Sequence, residues 1–249
     1  MSLLFINESV NELVNEIEKI ESFDEFKKQH GLSQENLWSW FYELHHKTIE
    51  IKKASVAKEK LKKIILTTFQ ISQQKGYALM TLRDLSKASG ISLGGIYSYI
   101  GSKEQLALMI HQFLPFIFKR VTNSDLLLEN TQISPRSRLI QMIKEHVYLS
   151  EWLTPWFFFA YMEAKYSSPE IKKVALSNEA QTQALLESVI GQCYTNTKDK
   201  PQAFLLAMSL KSQLQSWYLK RPLYKKNHIS AEHFIHHLAS GLMKGDLNV

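Results

Sequence analysis

The stretch TLRDLSKASGISLGGIYSYIGSKEQL, residues 81–106, has the pattern of short helices joined by tight turns. Gly90 falls where a first helix would end, and glycine freely adopts the left-handed conformation that such a turn needs. Small or polar residues follow on the outer face of a second helix, as entry into a major groove requires. The stretch therefore predicts a helix-turn-helix. Apolar residues stand where its two helices would pack: Leu82, Leu85, Ile91, Ile96 and Ile100.

Three hydroxyl residues stand where the short helices would begin. Thr81, Ser92 and Ser102 are each placed to accept a hydrogen bond from an otherwise unpaired backbone N–H of the first turn. A longer helical pattern from Ser55 ends at Gly76, which is expected to stop it.

The surrounding segment is basic. Residues 57–122 hold ten Lys or Arg and three acids, whereas residues 1–56 hold six Lys and ten acids. This distribution is expected if the middle of the chain binds phosphate. A solvated, lysine-rich helix face would give the same counts.

The motif resembles the DNA-binding domain of the tetracycline-repressor (TetR) family, over residues 58–106. The family's Gly-apolar-Ser turn corresponds to residues 90–92, its aromatic recognition helix to residues 97–100, and its Ser-Lys-Glu-x-Leu helix start to residues 102–106. The resemblance implies an all-α, TetR-like fold with three segments. These are a helical N-terminal extension (1–54), the helix-turn-helix domain (55–106) and a ligand-binding and dimerisation body (107–249).

The resemblance also implies roles for ten DNA-binding residues. Four would touch phosphates: Thr81, Ser98, Tyr99 and Lys103. Five would face base edges: Arg83, Leu93, Gly94, Gly95 and Tyr97. Ser92, at the start of the recognition helix, completes the predicted set.

The chain departs from the family pattern at three places. Ser86 replaces the usual Ala, Ile100 replaces the usual Phe, and Gly94 and Gly95 weaken the recognition helix by roughly 1 kcal/mol each relative to Ala. The glycine pair either lets the backbone approach DNA closely or leaves a poor helix that orders on binding.

The rest of the chain is also predicted to be helical, with helices over 8–20, 23–30, 34–46, 135–151, 169–191, 200–219 and 231–243. Arg221-Pro222 and the polar residues after it are interpreted as a break. The composition is ordinary for a soluble protein, with one cysteine (Cys193), no membrane-length apolar run and no export signal. We therefore expect a cytoplasmic protein with no membrane association.

An aromatic run, WLTPWFFFAYM at residues 152–162, is the notable feature of the body. It is either packed core, the wall of a pocket for an apolar or aromatic effector, or an interface. The predicted ligand-binding residues are Tyr148, Trp152, Trp156, Phe159, Met162 and Glu163. His146 is a further polar candidate, although His146 and Glu163 would equally suit surface ion pairs.

The last two helices, over 203–218 and 234–243, resemble those that form the family's dimer contact. A homodimer would bind two half-sites of a near-palindromic operator in double-stranded DNA. His233, His236 and His237 could chelate a metal, but no Cys or paired carboxylates accompany them, and solvated histidines are the simpler interpretation. No metal, cofactor or catalytic site is predicted, so the protein is not expected to be an enzyme.

A second stretch, HGLSQENLWSWF at residues 30–41, overlays on residues 89–100 at a constant offset of 59, with Trp38 aligned on Tyr97. Its outer face carries Glu35 in an acidic segment. A structural unit packed on the basic domain or on a partner is favoured over a second DNA contact or a chance likeness. The sequence thus predicts a ligand-responsive, dimeric repressor, with a protein–protein adaptor that has lost DNA reading as the alternative.

Overall fold

A computed structural model describes residues 21–49, 53–122, 133–166, 168–193 and 200–244. Within these ranges every regular element is a helix, so the predicted all-α fold is confirmed. The helix predicted over residues 8–20 lies outside the described residues. None of the helices in the described ranges has the length and hydrophobicity of a membrane-spanning segment.

Twelve α-helices lie in the described ranges. They are α1 (Phe23–Gln29), α2 (Gln34–His45), α3 (Ala54–Lys75), α4 (Leu82–Ser89), α5 (Leu93–Ile100), α6 (Lys103–Val121), α7 (Pro135–Trp152), α8 (Thr154–Glu163), α9 (Pro169–Gly191), α10 (Lys200–Leu219), α11 (Arg221–Lys226) and α12 (Ala231–Lys244).

One prediction was wrong: the residues from Arg221 form a short helix, α11, rather than a break. Pro222 lies in its first turn, where the missing N–H of proline costs no intrahelical bond. Pro115, which we interpreted as interrupting or kinking the apolar helix, lies inside α6, which extends from Lys103 to Val121.

The chain divides into two compact units. The helix-turn-helix unit comprises Gly31–Arg120 and Leu153–Glu179, and the body unit comprises Met1–His30, Val121–Trp152 and Ala180–Val249. Helix α1 therefore belongs to the body unit and α2 to the helix-turn-helix unit. The division into an extension, a helix-turn-helix domain and a ligand-binding body, with the function of each, stays a prediction.

Inside the helix-turn-helix unit, α3 packs against α2, α4, α5 and α8. Trp156 of α8 lies in an aromatic cluster, with its ring centroid 5.9 Å from Trp38, 5.3 Å from Phe41, 5.2 Å from Phe69 and 4.8 Å from Phe113. Aromatic side chains bury large apolar areas and gain further from tilted or edge contacts. This cluster is the core on which α2 and α3 rest.

Within the body unit, α7 packs against α10 and α12. Helix α1 adds Phe26, whose ring centroid is 5.3 Å from that of Tyr148, while the Phe23 N–H donates to Glu232 of α12 at 2.9 Å. A bidentate ion pair joins Arg221 to Glu151, at 2.5 and 2.8 Å. The helix before Gly31 is therefore fastened to the body unit by both apolar and polar contacts.

Candidate nucleic-acid interface

A capping box starts α4. The Thr81 hydroxyl accepts from the Asp84 N–H at 3.1 Å, and the Asp84 carboxylate accepts from the Thr81 N–H at 2.8 Å. The same carboxylate accepts from Lys75 at 2.7 Å, and this bond, with those from Thr81, holds the pKa of Asp84 far below its usual value. The exposed start of the first helix is thus fixed by local hydrogen bonds.

The turn between α4 and α5 depends on Gly90 and Ser86. Gly90 has φ +63°, in the left-handed region, as the sequence predicted, and its N–H donates to the Ser86 carbonyl at 2.9 Å. The Ser86 hydroxyl donates to the Ile91 carbonyl at 2.7 Å. The departure from alanine at position 86 therefore adds a bond across the turn.

The two glycines at the start of α5 have different surroundings. Ser92 caps the helix, accepting from the Gly95 N–H at 3.2 Å. A Cβ on Gly95 would lie 3.1 Å from the Ser92 hydroxyl oxygen and 3.2 Å from Ile91 Cγ2, which is too close without movement of the cap. A Cβ on Gly94 would meet nothing within 4 Å. Gly95 therefore leaves room for the Ser92 cap, whereas the backbone at Gly94 has no neighbouring atoms and is accessible from outside the helix.

The predicted DNA-binding residues share one region, but they differ in exposure. The side of α5 that carries Tyr97 is open, since that ring is 48% exposed. Tyr99 is only 6% exposed and lies on the packed side. The exposed members are Thr81, Arg83, Ser92, Gly94 and Tyr97, and the half-buried members are Leu93, Gly95, Ser98 and Lys103. Their contacts with DNA stay predictions.

Lys103, at the start of α6, is held by the loop before α4. Its ammonium donates to the Ala78 carbonyl at 2.9 Å and lies 5.0 Å from the ring centroid of Tyr77, whose hydroxyl donates to the Lys103 carbonyl. Partial burial lowers the pKa of Lys103. Ser102 caps the helix through the Gln105 N–H at 3.0 Å, as predicted. The lysine is thus positioned at a capped helix start, three residues after the end of α5.

The aligned aromatic residues of the two similar stretches have opposite surroundings. Trp38 is 4% exposed and packs in the aromatic cluster, whereas Tyr97, its counterpart, is largely open to solvent. Phe41 is fully buried, and Arg120 pairs with the exposed Glu43 at 3.0 Å. This placement favours the structural interpretation of residues 34–45.

The predicted ligand-binding residues are divided between the two units, and their role as a ligand site stays a prediction. Tyr148 and Trp152 belong to the body unit, and the other four belong to the helix-turn-helix unit. Trp156 and Phe159 are buried in the aromatic core, and Met162 is 47% exposed. Glu163 is buried rather than at the surface, and it accepts from the Ser72 hydroxyl at 2.6 Å. Core packing therefore accounts for Trp156 and Phe159.

A set of buried polar residues in the body unit was missed by the sequence reasoning. Three of them lie on α7 at a spacing of i, i+3 and i+7, the period of one helix face. That spacing could have indicated the set, because it places three polar side chains on one face of α7, where a buried helix face is normally apolar. The set consists of Arg138, Gln141, Glu145, Gln183 and Lys211.

The histidines of α12 show no metal-binding arrangement. His233, His236 and His237 are not gathered around a common point, and across the described part of the chain no three His, Cys, Asp or Glu side chains are grouped to hold a metal ion.

Comparisons with known proteins agree with this geometry. Residues 64–110 match the family model of bacterial regulatory proteins, tetR family. Over 67 residues the chain is 39% identical to the HTH-type transcriptional regulator YuxN of Bacillus subtilis (strain 168), a region that spans 26% of this chain and 23% of YuxN.

Solved structures show the same fold at low sequence identity. MbdR from Azoarcus sp. CIB is similar with a TM-score of 0.60 at 16% identity, covering 75% of this chain and 98% of that one. The TetR family regulator PfmR from Thermus thermophilus gives 0.58 at 20%, covering 74% and 98%. FadR from Bacillus subtilis, in complex with stearoyl-CoA, gives 0.54 at 14%, covering 74% and 97%. Residues 64–110 are therefore similar to the helix-turn-helix of the tetR family of bacterial regulatory proteins, and the chain shares the fold of these solved structures.

Proposed function

We propose that this protein is a transcriptional regulator that reads a specific DNA sequence through α5. The observation that carries the proposal is the open face of that helix. Tyr97 and the backbone at Gly94 lie there, with exposed Arg83 on the preceding helix. A ring can contact a thymine methyl group, and arginine can donate two bonds to guanine.

We propose that the regulator acts as a homodimer. Helix α10 exposes Phe204 (46%), Leu205 (60%) and Met208 (42%) along one face of the body unit. Contiguous exposed apolar side chains are typical of association surfaces. A second copy would cover this face, and two recognition helices would then bind two half-sites of a near-palindromic operator.

We propose, further, that the protein is a repressor released by a small-molecule effector. A ligand that binds the body more tightly in one conformation shifts the population toward that conformation and away from the DNA-competent one. The FadR relative was solved with stearoyl-CoA, an apolar chain on a polar carrier. We expect the effector of this chain to contain an apolar or aromatic part.

The test of DNA reading begins with selection from random duplexes by the full-length protein. We expect a near-palindromic site whose affinity falls by roughly a thousandfold between about 50 and 200 mM salt, because bound phosphates release counterions. A chain that enriches no sequence, or whose DNA affinity is independent of salt, contradicts the proposal and favours the adaptor alternative.

Two substitutions separate phosphate contacts from base contacts. Lys103→Ala removes a charge at a helix start, so we expect weaker binding to all duplexes alike and a salt slope reduced by about one. Tyr97→Ala should instead change the preferred sequence. Lys60→Ala removes an exposed lysine of α3 that is not among the predicted DNA-binding residues. As the matched control, it should leave DNA affinity nearly unchanged. Unchanged affinity in the Lys103 variant would show that the role assigned to this residue is wrong.

A further inference from the structure

An ion pair beside Thr81, one of the predicted phosphate contacts, joins the end of α3 to the start of α4. Lys75, the last residue of α3, donates to the Asp84 carboxylate in the first turn of α4 at 2.7 Å, and each side chain is 40% exposed. Each charge also suits its helix end, because a cation is favoured near the last carbonyls and an anion near the first N–H groups. Neither residue belongs to the ten predicted to bind DNA.

The Asp84 carboxylate is in direct contact with Thr81. The Thr81 hydroxyl and the Thr81 N–H both donate to the Asp84 Oδ2 atom, each at 2.8 Å. A phosphate that reaches Thr81 would therefore lie close to a second negative charge. Exposed charges within about 10 Å of each other still interact at about 0.1 M salt. An unpaired carboxylate at this position would thus oppose DNA binding.

Lys75 supplies the opposite charge. Its bond is the main cause that lowers the pKa of Asp84, so the carboxylate is ionised at pH 7 and the pair has no net charge. The charge of Lys75 also acts on Lys103, another predicted phosphate contact. Burial lowers the pKa of Lys103 and Lys75 contributes in the same direction, whereas Glu104 and Glu163 act in the opposite one. Lys75 therefore interacts with charged groups on both α4 and α6.

Stability alone does not account for this ion pair. Exposed ion pairs contribute little to the stability of a fold. The start of α4 is also capped without Lys75, because the Thr81 hydroxyl accepts from the Asp84 N–H at 3.1 Å. A duplex, by contrast, carries a negative charge for about every 1.7 Å of its axis. A charge beside a phosphate contact therefore acts on several phosphates at once.

We propose that Lys75 is a positioning residue for DNA binding, which neutralises the Asp84 carboxylate and thereby lets Thr81 approach a phosphate. The proposal rests on the DNA binding proposed above. Two other roles make different predictions. A direct phosphate contact by Lys75 would not depend on Asp84, and a purely structural ion pair would be damaged by the loss of either partner.

The test measures binding of the full-length protein to a labelled duplex of arbitrary sequence and about 30 base pairs, long enough for two half-sites. Lys75→Met leaves the carboxylate unpaired. We expect it to weaken binding roughly fivefold or more at about 50 mM salt, with a loss that narrows as added salt screens the repulsion.

Asp84→Asn should have the opposite effect. Asparagine keeps a side-chain oxygen that can accept from the Thr81 N–H, but it releases Lys75 from its ion pair. We expect binding roughly threefold tighter or more, and a salt slope steeper by about one, because one more cation is available to phosphates. The double variant Lys75→Met/Asp84→Asn restores the net charge of the pair and should bind within about twofold of the wild type.

Matched variants separate this role from a general effect of net charge. Glu59 and Lys60 are exposed residues of α3 outside the predicted DNA-binding set. Glu59→Gln adds the same net charge as Asp84→Asn, but it should neither tighten binding nor rescue Lys75→Met. Lys60→Met should leave the affinity nearly unchanged.

The sign of the Asp84→Asn effect decides between the three roles. Weaker binding, with a double variant no better than Lys75→Met, means that the ion pair is structural and overturns the proposal. Unchanged binding, with no rescue in the double variant, means that Lys75 itself contacts phosphate and also overturns it. Urea denaturation shows which variants fold, and the Asp84→Asn result decides even if Lys75→Met does not.

The arbitrary duplex keeps this test distinct from that of sequence reading. A chain that shows the expected pattern of variants but selects no sequence contradicts the proposed regulator and leaves the role of Lys75 standing. A chain that selects a site but shows no rescue contradicts the role of Lys75 alone. A chain that binds no duplex contradicts both.

Discussion

Gly94 and Gly95 are neighbours on α5, but a methyl group would meet different surroundings at each. At Gly94 it meets open space, so Gly94→Ala should raise the free energy of unfolding by up to about 1 kcal/mol. If the DNA backbone approaches closely there, the same variant should bind the selected site at least tenfold more weakly. Gly95→Ala should lower stability, because its Cβ crowds the Ser92 cap.

Urea denaturation and a DNA titration check both variants. A Gly94→Ala protein that binds DNA as tightly as the wild type would favour the other interpretation, a helix that orders only on binding.

A buried histidine makes the helix-turn-helix unit sensitive to acid. Burial lowers the pKa of His45 to about 4, although the ring also bonds to the Met109 carbonyl at 3.2 Å. The folded pKa lies below the unfolded value of 6.5, so stability is complete above pH 6.5 and is lost as the pH falls toward 4. At about pH 5 the loss from this residue should be about 2 kcal/mol.

His45→Gln removes the titration and keeps a donor for Met109. Urea denaturation at pH 7 and pH 5 should show a smaller loss for this variant than for the wild type. His236→Gln, at an exposed histidine, should behave as the wild type does. If His45→Gln loses as much stability as the wild type, acid acts elsewhere.

At the scale of elements, α2 and α5 have similar sequences, but the aligned aromatic residue is buried in α2 and exposed in α5. Trp38 of α2 is core, so Trp38→Ala should lower the free energy of unfolding by about 3–5 kcal/mol. Tyr97→Ala, at the aligned exposed position, should change it by only about 0.5 kcal/mol. Chemical denaturation of the two variants decides this. A small effect at Trp38 would mean that α2 is not a structural element of this unit.

The features of these elements that the sequence predicted are local ones. Thr81, Ser92 and Gly90 act on backbone groups within a few residues, so their caps and turn could be derived from spacing alone. The burial of Trp38 could not, because it depends on Trp156, which is distant in the sequence. The buried polar residues of α7, beginning at Arg138, were missed for the same reason, because only the neighbouring helices show that these side chains face inward. The helix after Lys220 was missed because Pro222 was interpreted as a breaker rather than as a first-turn residue.

At the scale of the whole molecule, we predict a homodimer that forms through the exposed apolar face of α10. Leu205→Glu places a charge on that face and should give a monomer in size-exclusion chromatography with light scattering. Loss of the second half-site should then weaken operator binding by roughly a hundredfold or more. Leu176→Glu, at a 69% exposed leucine of α9, is the control and should leave both unchanged. A Leu205→Glu protein that remains dimeric places the interface on another surface.

The aromatic cluster gives the helix-turn-helix unit an optical signal of its own. The indole rings of Trp38 and Trp156 are 5.9 Å apart and tilted by 43°. Two such chromophores at this distance couple their electronic transitions, so the pair should produce a circular dichroism couplet that disappears when either ring is replaced by phenylalanine. Trp217 is fully buried in the body unit, so its fluorescence reports on that unit in a variant in which the other four tryptophans are replaced by phenylalanine. The order in which the two units unfold can therefore be followed without an attached label, by the couplet in the wild type and by Trp217 fluorescence in that variant.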